Sequence, residues 1–142
     1  RPVTVSRGPT VQYKVTSMAR DLRVLIEWES VLHRMLDCTQ RFPKSVRFSF
    51  VQRIDTLVLD IAQTIVKAQY APTEDQPVHL QILNSQLAQL RLLWRLSADR
   101  KYLSMGLLRD FIESLDGIGF QVHAWLKVVN VEMDPDLTHK AD

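Results

Sequence analysis

Apolar residues in this chain recur every three and four positions through four separate stretches, and each stretch ends at prolines, charged residues or both. The last stretch is the longest. Leu108, Phe111, Leu115, Ile118, Val122, Trp125 and Val129 form an apolar seam on one face of a helix expected over Ser104 to Val129. Ser104 is suited to cap that helix, and Leu103 to pack on Leu108 as a hydrophobic staple. A first helix is expected from about Ser17 to Thr39, with Leu22, Leu25, Leu32 and Leu36 on one stripe and Val24, Trp28, Val31 and Met35 on a second. Pro43 ends it. A second helix, with Ser45 as its cap, carries Phe50, Ile54, Leu57, Ile61, Ile65 and Ala68 and runs to about Tyr70. The third, from about Val78 to Ala98, places Leu80, Leu83, Leu87, Leu90 and Trp94 on its seam. Four amphipathic helices joined by short connections predict an all-α, up-down-up-down four-helix bundle over residues 17–129.

The two ends of the chain fall outside that pattern. In residues 1–16, Val3 and Val5, then Val11, Tyr13 and Val15, alternate with polar residues around Arg7-Gly8-Pro9, which reads as a short β-like arm, a hairpin of two strands. A lone hairpin is marginal in water, so such an arm is either flexible or docked. Residues 130–142, with Glu132, Asp134, Pro135 and Asp136, have no seam and are expected to form a mobile acidic tail.

The fourth helix has two further features. Gly117 and Gly119 lie inside it, each costing about 1 kcal/mol relative to alanine, so a close approach should compensate. The approaching element is either a neighbouring helix of the same chain or another subunit. Ile112, Gly119, His123 and Leu126 also form a second, flanking line. A helix with two such faces suggests an oligomer interface along that line.

Composition narrows the chemistry. The chain has 142 residues, 46% of them hydrophobic, which is enough for one domain with a true core. No apolar run approaches a membrane span and no signal-peptide core is visible, so a cytoplasmic protein is expected. Cys38 is the single cysteine. It can form no intramolecular disulfide and belongs to no CxxC pattern. His33, His79, His123 and His139 are scattered, without HExxH spacing, and neither a glycine-rich phosphate loop nor a nucleophile elbow occurs. The chain is therefore not expected to be an enzyme, and no metal or cofactor is implied.

Eighteen basic and sixteen acidic residues give a net charge of only +2, so distribution has to carry any argument for nucleic acid. Topology supplies one. In an up-down-up-down bundle the first and third connections share an end. Arg41, Lys44, Arg47 and Arg53 follow one another with no acid between them, and Arg95, Arg100 and Lys101 should join them there. Phe42, Phe48 and Tyr102 are interleaved with these cations. That mixture is what a phosphate-binding surface with stacking capacity requires, and also what a solvated helix end can look like.

Several short motifs fall in a familiar order: Met18-Ala-Arg-Asp-Leu22, Arg41-Phe-Pro-Lys44 with Arg47-Phe48, Leu90-Arg-Leu-Leu-Trp-Arg-Leu96, and Ile118-Gly-Phe-Gln-Val-His-Ala-Trp125 with Leu126-Lys127. Over residues 18–128 the chain resembles the four-helix-bundle family that includes Avd, the accessory variability determinant of diversity-generating retroelements, and the proteins encoded in ribosomal-RNA intervening sequences. The resemblance implies a homopentamer of bundles that binds RNA or DNA and assists a reverse transcriptase during mutagenic copying of template RNA, without catalytic residues of its own. The basic positions that match the family pattern are Arg41, Lys44, Arg47, Arg53, Arg91, Arg95 and Lys127. A structural oligomeric module that binds no nucleic acid is the alternative.

Overall fold

A computed structural model describes the backbone of residues 9–133 and the side chains of residues 23–133. Four long helices account for nearly all of it: α1 (Pro9–Thr39), α2 (Gln52–Tyr70), α3 (Gln76–Asp99) and α4 (Met105–Met133). Each packs against its neighbours in sequence, and α4 returns to α1 to close the bundle. This is the expected all-α four-helix bundle. Its core is the sum of the seams. Trp28 and Met35 from α1, Ile54, Ile61 and Ile65 from α2, Leu80, Leu83, Leu87, Leu90 and Trp94 from α3, and Phe111, Leu115 and Trp125 from α4 are fully or almost fully removed from solvent. On α1 the stripe through Val24, Trp28, Val31 and Met35 is central, while Leu25 and Leu36 lie half-buried on its shoulder. Polar ties add direction to the packing. Trp28 Nε1 donates to the Val58 carbonyl on α2 at 3.1 Å, and Gln76 Nε2 at the start of α3 donates to the Ala68 carbonyl at 2.9 Å.

The termini of the helices differ from expectation in three places. Helix α1 already runs from Pro9, so Val11, Tyr13 and Val15 lie in a helix and not in a strand. Val3 and Val5, the other half of the expected hairpin, are outside the described residues. Proline is favoured at a first helical position, and extending an existing helix adds about one hydrogen bond per residue ordered, which an isolated two-stranded hairpin cannot match. At the other end, α4 continues four residues past Val129 to Met133, so the expected tail overlaps the helix there. Its remainder, from Asp134, is outside the described residues. Finally, α2 is not capped by Ser45. A 3-10 turn at Lys44–Val46 and a π-helical turn at Arg47–Val51 precede it, starting from Pro43 with no side-chain cap.

The start of α4 is as expected. Ser104 Oγ accepts from the Leu107 backbone N–H at 3.1 Å, and Leu108 N–H donates to the Ser104 carbonyl at 3.0 Å. The two glycines of α4 turn out to be different from each other. A Cβ at Gly117 would meet nothing within 4 Å, whereas one at Gly119 would lie 2.8 Å from Arg91 Nη2 of α3. The close approach at Gly119 is therefore made by the same chain. Gly117→Ala should stabilise the fold by about 1 kcal/mol through helix propensity. Gly119→Ala should gain much less, because Arg91 must move and weaken its contacts with Asp116 and the Leu115 carbonyl, worth up to about 1 kcal/mol. Urea midpoints of the two variants measure the difference, and equal gains would show that Arg91 does not constrain position 119.

Candidate nucleic-acid interface

The connection from α1 to α2 and the connection from α3 to α4 meet at one end of the bundle, and the contact between them is aromatic. Phe42 turns inward and is only 7% exposed. Its ring lies 6.2 Å, edge-on, from Trp94 and 5.4 Å from Tyr102, and Phe50 meets Tyr102 edge-on at 5.3 Å. Trp94 continues the stack to Phe111 at 4.7 Å. Such edge and tilted pairs add about 0.5–1.5 kcal/mol each beyond their buried area.

Tyr102 reaches this cluster through the way α3 ends. The Tyr102 backbone N–H donates to the Ser97 carbonyl and that of Lys101 to the Ala98 carbonyl, both at 2.9 Å. This is a Schellman motif, with Lys101 in the left-handed position at φ 66°. A non-glycine residue there costs about 1–2 kcal/mol. The motif returns Tyr102 to the bundle and leaves Arg100 and Lys101 exposed on the outside of the turn. Arg100 Nε donates to Tyr102 Oη at 3.0 Å, and its guanidinium lies 6.0 Å from that ring.

Around this cluster the cations stand out into solvent. Arg41, Lys44, Arg47, Arg53, Arg95, Arg100 and Lys101 are all exposed, and none takes part in an ion pair within 4 Å among the described residues. Of the nearby acids, Asp55 accepts a hydrogen bond from the Thr39 hydroxyl at 2.7 Å and Asp110 pairs with Arg34 at 3.7 Å. Asp37 and Asp99 are exposed at the same end. One further cation, Arg109, is exposed in the first turns of α4 and was not anticipated. Its position five residues after Ser104 was the available signal. The opposite end carries exposed Glu74 and Asp75 in the connection to α3 together with exposed Lys67 and Lys127, so acids and cations are closer to balance there.

Two of the expected cations lie elsewhere. Arg91 bridges α3 to α4: its Nε is 2.9 Å from Asp116 Oδ1 and its Nη2 donates to the Leu115 carbonyl at 3.4 Å. Its charge is already matched. Lys127 is exposed but sits 22 residues after Met105, which at 1.5 Å per residue is about 33 Å along α4, toward the other end. The flanking line of α4 is placed as follows: Ile112, Gly119 and Leu126 are half-buried, with Arg91 of α3 over Gly119, while His123 is exposed. Large exposed apolar residues lie on α2 and α3, at Leu59, Val66, Tyr70, Val78, Ile82, Leu92 and Leu96, and on α4, at Met105, Phe120, Val131 and Met133.

The chain matches the bAvd-like family over residues 22–129, well over half its length. It belongs to that family. No curated protein and no solved structure matches the chain. The family is of accessory, Avd-type character, and the exposed chemistry of this end is guanidinium and ammonium groups. Cys38 lies directly beneath the basic loop but is buried. Burial pushes its thiol above the ordinary value of 9.0, with the Arg41 charge pulling it down to a smaller extent, so it stays protonated at neutral pH. Among the described residues no three His, Cys, Asp or Glu side chains converge into a metal site, and no helix is long and apolar enough to cross a membrane.

Of the three interleaved aromatics, Phe42 and Tyr102 are committed to the ring cluster and only Phe48 is free, at 84% exposed. Phe42→Ala should therefore cost about 3–5 kcal/mol of stability, whereas Phe48→Ala should fall within about 0.5 kcal/mol of the parent. Chemical denaturation of the two variants checks this, and a strongly destabilised Phe48→Ala would contradict the placement.

Proposed function

We propose that this bAvd-like protein is a non-catalytic, nucleic-acid-binding accessory subunit of a reverse transcriptase in a diversity-generating retroelement. In that role it works in the cytoplasm as a homo-oligomer, a pentamer by resemblance, and assists mutagenic reverse transcription of template RNA. The observation that carries the reading is the set of exposed cations without carboxylate partners, Arg41, Lys44, Arg47, Arg53, Arg95, Arg100 and Lys101, gathered at one end. Contacts from such groups release counterions from a phosphate backbone and read little of its sequence. In a symmetric oligomer the basic end repeats once per subunit, so weak single contacts sum to strong binding.

The second reading, an oligomeric interaction module that binds no nucleic acid, is favoured by the modest +2 charge and by the exposed apolar residues of α2 and α3. Salt dependence separates the two. Binding of RNA or DNA should fall steeply as salt rises, and each phosphate-contacting cation removed should lower the slope of log affinity against log salt by about 1. Arg41→Glu with Lys44→Glu should weaken binding severely while leaving the fold intact, since both sites are exposed. Lys67→Glu, exposed near the far end of α2, is the control and should do much less. Unchanged binding by the double variant across a salt titration would favour the interaction module.

Native mass spectrometry tests the assembly, for which the flanking line Ile112, Gly119, His123 and Leu126 is the proposed contact. A clean monomer at about 10 μM, the range in which a permanent interface should persist, would overturn the oligomer in both readings.

A further inference from the structure

We infer that Phe48 is a stacking platform for an unpaired base, and that the basic end accordingly takes single-stranded nucleic acid in preference to duplex. The inference rests on the proposed function and adds to it the form of nucleic acid and the residue that selects it.

Two observations carry it. The first is the turn that presents the ring. Phe48 and Phe50 lie in the π-helical turn Arg47–Val51, where side chains two residues apart point to nearly opposite sides. Phe50 is thereby directed onto Tyr102, and Phe48 is directed away from the core and left 84% exposed. A π-helical turn is rare and recurs at functional sites. Here it begins a helix that has no side-chain cap.

The second is the surroundings of the ring. Phe48 forms a ridge between two surface grooves. One, of about 520 Å³, is lined by Lys44, Arg47, Val51 and Gln52. The other, of about 700 Å³, is lined by Arg53, Leu57, Leu92 and Leu93. Cations thus border both sides of an exposed aromatic face. Asp55 also lines the first groove, where its carboxylate accepts from Thr39, and Asp60 lines the second. The first groove lies beside Arg41 and Lys44. A strand whose phosphates follow Arg41, Lys44 and Arg47 brings a base within reach of Phe48. Gln52 and Thr56, which line both grooves, offer hydrogen-bonding groups to the base edge. A duplex buries its base faces in its own stack and cannot use the ring. Charge complementarity and an exposed π-face together select a single strand over an apolar protein surface.

The test compares an oligoadenylate of about 12 nucleotides, within the usual site sizes for single-strand binders, with a duplex of the same length. Phe48→Ala and Phe48→Leu should each weaken single-strand binding about 5- to 150-fold per stacked base. Phe48→Trp should restore it. Duplex affinity and the salt slope should not change in any of the three variants, because no charge is altered. In the parent protein, 2-aminopurine within the single strand should change fluorescence on binding, and Phe48→Ala should abolish that change. Wild-type affinity in Phe48→Ala, an equal loss for single strand and duplex, or full binding by Phe48→Leu would each overturn the stacking role. If the Phe48 series is flat while Arg41→Glu/Lys44→Glu abolishes binding, the stack alone fails. If both series are flat, the nucleic-acid reading fails with it.

Discussion

The contact on which the working end of this molecule depends is the insertion of Phe42 between Trp94 and Tyr102. It fastens the connection after α1 to the connection after α3, two segments separated by roughly half the chain. Without it the basic residues of the two connections would belong to two independent loops. With it they share one surface, and the cost of bringing like charges together is offset by aromatic burial beneath them. The Schellman turn at Arg100 and Lys101 serves the same end, since its hydrogen bonds direct Tyr102 inward as the two cations turn outward.

Charge in this bundle is divided between cations that hold the fold and cations that do not. Arg91 has Asp116, the Leu115 carbonyl and the space over Gly119. Arg23 has Glu27, which in turn accepts from Gln121 of α4. These contacts define the two flanks of α4, one against α3 and one against α1. Among the described residues Arg41, Lys44, Arg47, Arg53, Arg95, Arg100 and Lys101 make no such ion pair, and the unbalanced local field that results is a property of arrangement more than of net charge. An excess of two positive charges over the whole chain conceals an end where cations clearly outnumber acids.

Much of this was determined by the sequence alone, because a period of 3.6 is legible wherever one face of a helix is buried. The seams through Leu80 to Trp94 and through Phe111 to Val129 became the core residue for residue, and Ser104 caps α4 as its chemistry requires. The grouping of Arg41 to Arg53 with Arg95 to Lys101 also followed from topology. Alternation over a few residues was a weaker guide. Val11, Tyr13 and Val15 lie in α1, where continuation of a long helix prevails over a five-residue strand signal.

What only the tertiary structure decided was which member of each apparent group is free. Phe42, Phe48 and Tyr102 are alike in sequence as aromatics among cations, and nothing local distinguishes them. Burial depends on what the other connection places opposite each ring, so two are consumed by packing and Phe48 is left exposed. Gly117 and Gly119 are alike as helix glycines, yet only Gly119 has an arginine of another helix over it. Arg91 and Arg95 sit four residues apart on α3, and a carboxylate on α4 engages only the first. In each case the sequence specified the chemical type and its helical face, while the partner came from an element distant along the chain, and pairing across that distance is set by three-dimensional packing.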